Sequence, residues 1–263
     1  MKFILVFWLS ALVTQAADLP GWKLVWSDEF DHPGAPDPAK WDCEKGLIRN
    51  NEKQFYTDKR RENARVEDGK LIIEAIKEPM GGGQFTSASL ISRAHGEWTY
   101  GRIEVRAKLP AARGTWPAIW MLPADHGKVP WPRCGEIDIM EHVGHEPGLI
   151  HGTLHSEAYN HLKNTQRSGT LPVPTASSGF HTYSMDWSAD RIVMHIDGKT
   201  YATFDHKPGD TEAEWPFNKP FYLILNLAIG GSWGGQKGIA EAEFPQRMEV
   251  DFVRVYQKSG DGK

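Results

Sequence analysis

The chain has 263 residues, 40% of them hydrophobic, and a formal net charge of -4 at pH 7. This length and hydrophobic content allow one large domain or two small ones. A mildly acidic chain without a basic cluster has no electrostatic attraction for nucleic acid, so we expect no nucleic-acid partner. The same charge balance gives no support for a sulfated, anionic polymer as a ligand.

The N-terminal segment has the layout of a secretory signal peptide. Lys2 precedes an apolar run over residues 3–13, and small residues follow at Ala16 and Ala17. The run is too short to span a bilayer as a helix. A buried N-terminal strand is the alternative, but the flanking pattern favours export. We therefore predict a signal peptide over residues 1–17 and a secreted protein, extracellular or periplasmic, without membrane association after cleavage.

Strand patterns follow along the rest of the chain. Residues 66–76 and 194–204 each place Asp-Gly between apolar runs, the strongest short signal for a β-hairpin. Between these segments, residues 103–109 alternate apolar and charged side chains as in a half-buried strand. Residues 221–231 and 250–256 have the composition of strands near a core.

Helical periodicity is missing from every long segment of the sequence, and 26 glycines and 17 prolines interrupt the chain throughout. Many short strands with frequent turns are typical of a sandwich or barrel. We therefore predict that residues 18–263 form a single all-β domain. The two cysteines, Cys43 and Cys134, could form one disulfide or remain two free buried thiols.

The segment GEIDIMEHVG places three carboxylates within six positions, at Glu136, Asp138 and Glu141. In a regular strand, the first two side chains would share a face and Glu141 would point the other way. One extra residue, a β-bulge, would return Glu141 to the shared face while Ile137 and Ile139 point into the core. A solvated acidic strand edge is the alternative. Crowded acids raise one another's pKa, and such an arrangement favours a catalytic function.

The bulge also predicts a distance. At about 3.3 Å per residue, Glu136 and Glu141 would lie roughly 13–16 Å apart at Cα. Long side chains leaning together could close their carboxylates to about 5–5.5 Å, the separation used by retaining glycosidases.

Eleven tryptophans are unusual for this length, and three of them lie close in sequence to the acids: Trp116, Trp120 and Trp131. A flat apolar ring with a polar edge suits the C–H face of a sugar. Core packing is the alternative, and we prefer it for the tryptophans at positions 22, 26, 41 and 187.

GEIDIME resembles the catalytic signature of glycoside hydrolase family 16 in its bulged form. WSDEFD, NNEKQFYT, YGRIEVRAKLP, GTWPAIWMLP, HGTLH, LNLAIGGSW and VDFVRVY stand in the order found in bacterial laminarinases. The resemblance covers residues 21–257. It implies a β-jelly-roll sandwich of two curved antiparallel sheets, with a substrate cleft on the concave face. It also implies that Glu136 is the nucleophile and Glu141 the general acid/base. Asp138 would lie between them and form a hydrogen bond to the nucleophile.

The bulged signature and the neighbouring motifs look most like those of laminarinases. We therefore expect an endo-acting enzyme that cleaves β-1,3-glucan, with some mixed 1,3-1,4 linkage allowed, and that retains the anomeric configuration. A non-catalytic β-glucan-binding module and a glucan transglycosylase are the alternatives on the same fold. We expect a monomer.

The resemblance implies further site residues. Substrate contacts are expected from the three tryptophans named above and from Asn51, His155, Asn226 and Trp233. Ser89 occupies a place where many laminarinases carry arginine. Four histidines at 142, 145, 151 and 155 match no compact zinc motif, so we expect no zinc.

We expect no cofactor for catalysis. Many family members hold a structural calcium ion, and here the resemblance places Asp251 as its side-chain ligand, with backbone oxygens near Glu29 and Gly69. An ordinary surface aspartate is the alternative for Asp251.

Overall fold

Short strands make up nearly all of the regular structure of the protein. The computed structural model describes residues 19–259, so the signal peptide predicted over residues 1–17 lies outside the described residues. The elements are β1 (Trp22–Asp28), β2 (Asp42–Cys43), β3 (Gln54–Tyr56), β4 (Ala64–Glu67), β5 (Lys70–Ala75), β6 (Phe85–Ser87), β7 (Ser89–Ile91), β8 (Glu97–Trp98), β9 (Gly101–Lys108), β10 (Thr115–Pro123), β11 (Glu136–Glu141), β12 (Leu149–His155), β13 (Arg167–Pro172), β14 (His181–Trp187), β15 (Arg191–Ile196), β16 (Lys199–Asp205), β17 (Phe221–Ile229), helix α1 (Gly231–Gly234), a 3-10 turn (Glu241–Glu243) and β18 (Gln246–Lys258).

The strands form two eight-stranded sheets and one small pair. The first sheet has the order β16-β15-β14-β9-β18-β5-β4, with β1 also paired to β18. The second sheet has the order β13-β12-β11-β10-β17-β7-β2, with β8 also paired to β17. A separate parallel pair joins β3 and β6. Two large sheets confirm the predicted all-β sandwich. Within residues 19–259, no helix has the length and apolar character needed to cross a membrane.

Both predicted hairpins are present. β4 and β5 turn at Asp68 and Gly69, whose φ angles are 51° and 68°. β15 and β16 turn at Asp197 and Gly198, whose φ angles are 49° and 78°. Positive φ at both central residues is typical of the two-residue type I′ turn, which matches the twist of the paired strands. Asp-Gly is favoured there because glycine adopts positive φ without strain.

The main core lies between the two large sheets. The burial of β9 alternates residue by residue, which confirms the predicted half-buried strand. In β10, Ile119 and Met121 join the main core, whereas Trp120 belongs to a small apolar cluster separate from that core. Alternate residues face opposite ways, so the second sheet presents another face, which we call the cleft face. Cys43 and Cys134 are both free thiols.

The three acids of β11 share the cleft face because the strand is bulged. On β12 they lie opposite alternate residues: Glu136 opposite His155, Asp138 opposite Thr153 and Glu141 opposite His151. On the other side, Ile119 pairs with Met140 and Trp120 with Asp138, so Ile139 is the extra residue. Ile139 and Met140 are both buried in the main core. The predicted bulge and its effect on Glu141 are therefore confirmed.

A tyrosine from the opposite sheet supports the bulge. The hydroxyl of Tyr201 on β16 donates a hydrogen bond to the carbonyl oxygen of Ile139. Gly152 on β12 leaves the room for this contact, since a Cβ there would lie 2.5 Å from Tyr201 Oη and 2.6 Å from Met194 Sδ. The carbonyl freed by the bulge is thus satisfied by a side chain rather than by a neighbouring strand.

Tyr201→Phe should destabilise the protein by about 1–3 kcal/mol, because a buried carbonyl would lose its hydrogen bond. Chemical denaturation monitored by tryptophan fluorescence measures this change. Tyr100→Phe is the matched control, since Tyr100 packs edge-on against Trp187 and its hydroxyl bonds to no group within residues 19–259. Equal unfolding free energies for Tyr201→Phe and the unmodified protein would contradict the supporting role of Tyr201.

Candidate active site

Three carboxyls and a histidine form the centre of the cleft face. His155 Nε2 lies 3.7 Å from Glu136 Oε1 and 3.4 Å from Asp138 Oδ2. Asp138 is almost completely buried, with 3% of its surface exposed, and its Oδ2 has no hydrogen-bond partner within residues 19–259. Neighbouring strands therefore bring His155, which the resemblance implied as a cleft residue, into contact with the predicted acids.

Glu141 is held from the opposite side by a tryptophan pair. Trp116 Nε1 donates a hydrogen bond of 3.0 Å to Glu141 Oε1. The Trp116 ring packs edge-on against Trp233, with centroids 5.6 Å apart, and Trp233 packs edge-on against His151 at 4.9 Å. Two of the predicted substrate residues, Trp116 and Trp233, thus lie beside the predicted acid/base.

Trp120 and Asn226 form a second polar chain on the same face. Trp120 Nε1 donates to Asn226 Oδ1 at 2.7 Å, and Asn226 Nδ2 donates to Tyr56 Oη at 2.9 Å. The sequence analysis missed Tyr56, which lies in NNEKQFYT. Trp120 and Asn226 are 7% and 4% exposed, so this chain forms the floor of the cleft rather than a protruding platform.

Trp131 packs against His155 and His161. Its ring centroid lies 5.8 Å from that of His155 and 4.9 Å from that of His161. Trp131 also lies close enough to Glu136 to lower the pKa of that carboxyl. The structure therefore places Trp131 near Glu136 and adds His161, which no motif of the sequence indicated.

Asn51 lies on the loop before β3. It is exposed, has a φ angle of 54°, and lines an open groove of about 580 Å³ with residues 47–53 and 82–84. The same loop meets helix α1, where Asn50 O accepts a hydrogen bond from Ser232 N at 2.9 Å. Its predicted contact with substrate stays a prediction.

Burial raises the pKa of each of the three acids. The charge of Glu141 raises the pKa values of Glu136 and Asp138 further, whereas Arg49 and Trp131 lower that of Glu136. Removal of a charge from water disfavours ionisation, and like charges add to the effect. The site therefore keeps a proton near neutral pH, which is the state needed for acid catalysis.

Burial has the opposite effect on the histidines. It lowers the pKa of His155 to about 4, so this imidazole is neutral beside the acids. It also lowers the pKa of His142 to about 4, and His142 Nε2 accepts a hydrogen bond from Gly148 N at 3.1 Å. His142 therefore has a structural role in the loop after β11.

Metal ligands are sparse. Among the residues that the structure describes, Glu136, Asp138 and His155 form the one cluster of His, Cys, Asp or Glu donors lying within 4.8 Å of one another. At the predicted calcium position, the Asp251 carboxylate accepts a hydrogen bond from Arg106, and Glu29 binds Arg254 through both carboxylate oxygens.

These guanidinium partners would compete with a calcium ion. Gly69 lies in the β4–β5 turn, and its backbone oxygen would be a neutral ligand. Calcium at this position therefore stays a prediction, which a calcium titration of thermal stability would test.

Two glutamates on one face of a sheet match the pair of carboxyls that most glycosidases use. A family model described as Glycosyl hydrolases family 16 matches residues 51–254. A beta-glucanase of Rhodothermus marinus is 53% identical over 246 residues, which cover 90% of this chain and 86% of the relative. The chain belongs to glycosyl hydrolase family 16.

Solved structures agree with this assignment. The laminarinase from Rhodothermus marinus superposes with a TM-score of 0.88 at 51% identity, covering 90% of this chain and 98% of that one. A mutant of SCLam, a non-specific endo-beta-1,3(4)-glucanase of the same family, co-crystallised with 1,3-beta-D-cellotriosyl-glucose, gives a TM-score of 0.88 at 48% identity, covering 92% of this chain and 97% of that one. These matches confirm the predicted jelly-roll fold.

Glu141→Gln should stabilise the protein at neutral and alkaline pH. Burial raises the pKa of Glu141 in the folded state. Its protonated form therefore contributes fully to the free energy of unfolding below the unfolded-state pKa of about 4.3, and this contribution is lost as the pH rises through the folded-state pKa. Glutamine does not ionise, and we expect Tm to rise by about 2–4 °C for each kcal/mol of relieved penalty.

Differential scanning calorimetry between pH 4 and pH 8 tests this dependence. The gain in Tm should be largest at pH 8 and should shrink towards pH 4. Glu157→Gln is the control, because Glu157 is exposed on the loop after β12. A constant difference across this range would rule out ionisation of Glu141 as the cause.

Proposed function

We propose that the protein is a secreted, endo-acting β-1,3-glucanase that cleaves laminarin-type glucan with retention of configuration. The observation that carries the proposal is the bulge at Ile139, which sets Glu136 and Glu141 on one sheet face. Without the bulge, only Glu136 and Asp138 would share that face, and the short aspartate two residues away is poorly placed to act as a second catalytic carboxyl.

The two glutamates divide the chemistry between them. Glu141, protonated at the start, gives its proton to the departing glycosidic oxygen while Glu136 attacks the anomeric carbon from the opposite side. The resulting glycosyl-enzyme is released by water, from which Glu141 now takes a proton. The bond from Trp116 fixes the direction of the Glu141 carboxyl during both steps.

Asp138 and His155 prepare the nucleophile. Asp138 is buried between the glutamates, and its raised pKa favours the protonated form, which can donate a hydrogen bond to Glu136 as that residue leaves the sugar. His155 is neutral and lies against both carboxyls. It can therefore accept or donate a hydrogen bond without adding a charge to the site.

The substrate follows from the relatives and from the tryptophans. The Rhodothermus marinus relative is a laminarinase, and SCLam is a non-specific endo-beta-1,3(4)-glucanase. Trp116, Trp233 and Trp131 stand on either side of the acids, where their rings can pack on glucose units. We assign β-1,3-glucan as the main substrate, with mixed 1,3-1,4 glucan as a secondary one.

Secretion and a monomeric state belong to the same proposal. The N-terminal layout of residues 1–17 supports export, and a polymeric glucan lies outside the cell that degrades it. The two free thiols leave the exported domain without a structural disulfide between Cys43 and Cys134.

Laminarin should be cleaved faster than lichenan, and agarose and carrageenan should not be cleaved. Glu136→Gln or Glu141→Gln should reduce laminarin cleavage by several orders of magnitude, because each removes one half of the two-step mechanism. Reducing-end assays across the four polysaccharides measure both effects. Near-normal activity in either variant would refute the catalytic pair, and a preference for agarose would refute the substrate.

The first product of cleavage should be the β-anomer. Two successive inversions restore the starting configuration, provided that the two carboxyls approach to about 5–5.5 Å. Proton NMR of a β-1,3-linked oligosaccharide, recorded in the first minutes of cleavage, distinguishes the anomers before mutarotation mixes them. An initial α-anomer would exclude the proposed covalent intermediate on Glu136.

A further inference from the structure

His161 reaches the site from the loop between β12 and β13. Its ring centroid lies 4.9 Å from that of Trp131, with 32° between the two planes, and it meets the His155 ring edge-on at 5.2 Å. His155 Nε2 lies 3.7 Å from Glu136 Oε1. The rings of Trp131 and His161 therefore form one wall, which we call the aromatic wall, and His155 connects this wall to the proposed nucleophile.

The loop over residues 156–166 holds this histidine without using its side chain. Asn160 is 1% exposed, and its Nδ2 donates hydrogen bonds to the backbone oxygens of Ser156 and Glu157 at 3.0 and 3.1 Å. Its backbone N donates to Thr165 Oγ1 at 3.2 Å. Because these bonds come from other residues, truncation of the histidine side chain should leave the course of the loop intact.

The His161 ring has two polar atoms that the protein does not use. The residue is exposed, and neither ring nitrogen forms a hydrogen bond with a group in residues 19–259. Contact with the neighbouring rings removes part of the imidazole from water and lowers its pKa, so the ring is neutral at pH 7. A neutral imidazole carries one N–H donor and one acceptor nitrogen, and a sugar hydroxyl can bond to either.

Simple covering of Trp131 is the alternative role for this histidine. An aliphatic side chain would cover the same ring, whereas an imidazole loses part of its hydration there. The aromatic wall carries no positive charge and adjoins, through His155, the carboxyls of Glu136 and Asp138. An uncharged sugar, with C–H groups on its face and hydroxyls at its edge, therefore suits the wall better than a sulfated one.

We propose that His161 is a substrate-binding residue, which forms a hydrogen bond through a ring nitrogen with a hydroxyl of the glucose unit that packs on the aromatic wall. The inference rests on the proposed function, because it adds a contact with the same β-1,3-glucan. His161 contacts the sugar and not the reacting atoms, so it contributes to binding rather than to the chemical step. A site that bonds to a substrate hydroxyl loses affinity when that bond is removed.

Binding of laminarihexaose tests this contact. Isothermal titration calorimetry in a Glu141→Gln background measures the affinity without cleavage. We expect His161→Ala to raise Kd about three- to tenfold, the effect of one lost hydrogen bond. His161→Phe should raise Kd by a similar factor, because phenylalanine keeps a ring against Trp131 but has no ring nitrogen.

Steady-state kinetics on laminarin should show the same loss in KM. In an otherwise unmodified protein, His161→Ala should raise KM by about the same factor and leave kcat within about twofold, because the lost contact is equal in the ground state and the transition state. A fall in kcat at unchanged KM would place the residue in the chemical step and would contradict the proposal.

His206→Ala is the matched control. His206 is also exposed and stacked on a tryptophan, with its ring centroid 5.4 Å from that of Trp215 and 3° between the planes. Its truncation should leave Kd and KM unchanged. An unchanged Kd in His161→Ala, full affinity in His161→Phe, or an equal loss in His206→Ala would overturn this inference and leave the proposed function intact. If laminarihexaose failed to bind even the Glu141→Gln background, the proposed function would fall with it.

Discussion

One extra residue in β11 determines what the cleft face can do. The bulge at Ile139 breaks the two-residue period of the strand, so Glu141 returns to the face that holds Glu136 and Asp138. It also leaves a carbonyl without a strand partner, and the hydroxyl of Tyr201 from the opposite sheet supplies the missing bond. The catalytic face thus depends on a contact made through the sandwich.

This arrangement has an electrostatic cost, because three carboxyls are crowded together at a largely buried site. Burial raises their pKa values, and few compensating groups surround them. The groups that are present contact different acids: Trp116 bonds to Glu141, while His155 lies against Glu136 and Asp138. Such uneven surroundings let two chemically identical side chains take different roles in one reaction.

Sequence reasoning worked best where the signal was local. The Asp-Gly hairpins, the alternation of β9 and the phase of the acids each depend on a few adjacent residues. It missed Tyr56 and Tyr201, whose hydrogen-bond partners lie far away in the chain. Tyr56, for example, bonds to Asn226, 170 residues later. No periodicity or spacing within NNEKQFYT or MHIDGKTYATF indicates such a partner.

The sequence by itself determined the all-β class, the bulged acid motif and the family to which the chain belongs. These properties follow from side-chain alternation, from turn residues that tolerate positive φ, and from ordered motifs. The tertiary structure alone decided which groups surround each acid. Strands distant in sequence become neighbours only when the sheets assemble, and the pKa of a buried carboxyl depends on those neighbours rather than on the residues beside it in the chain.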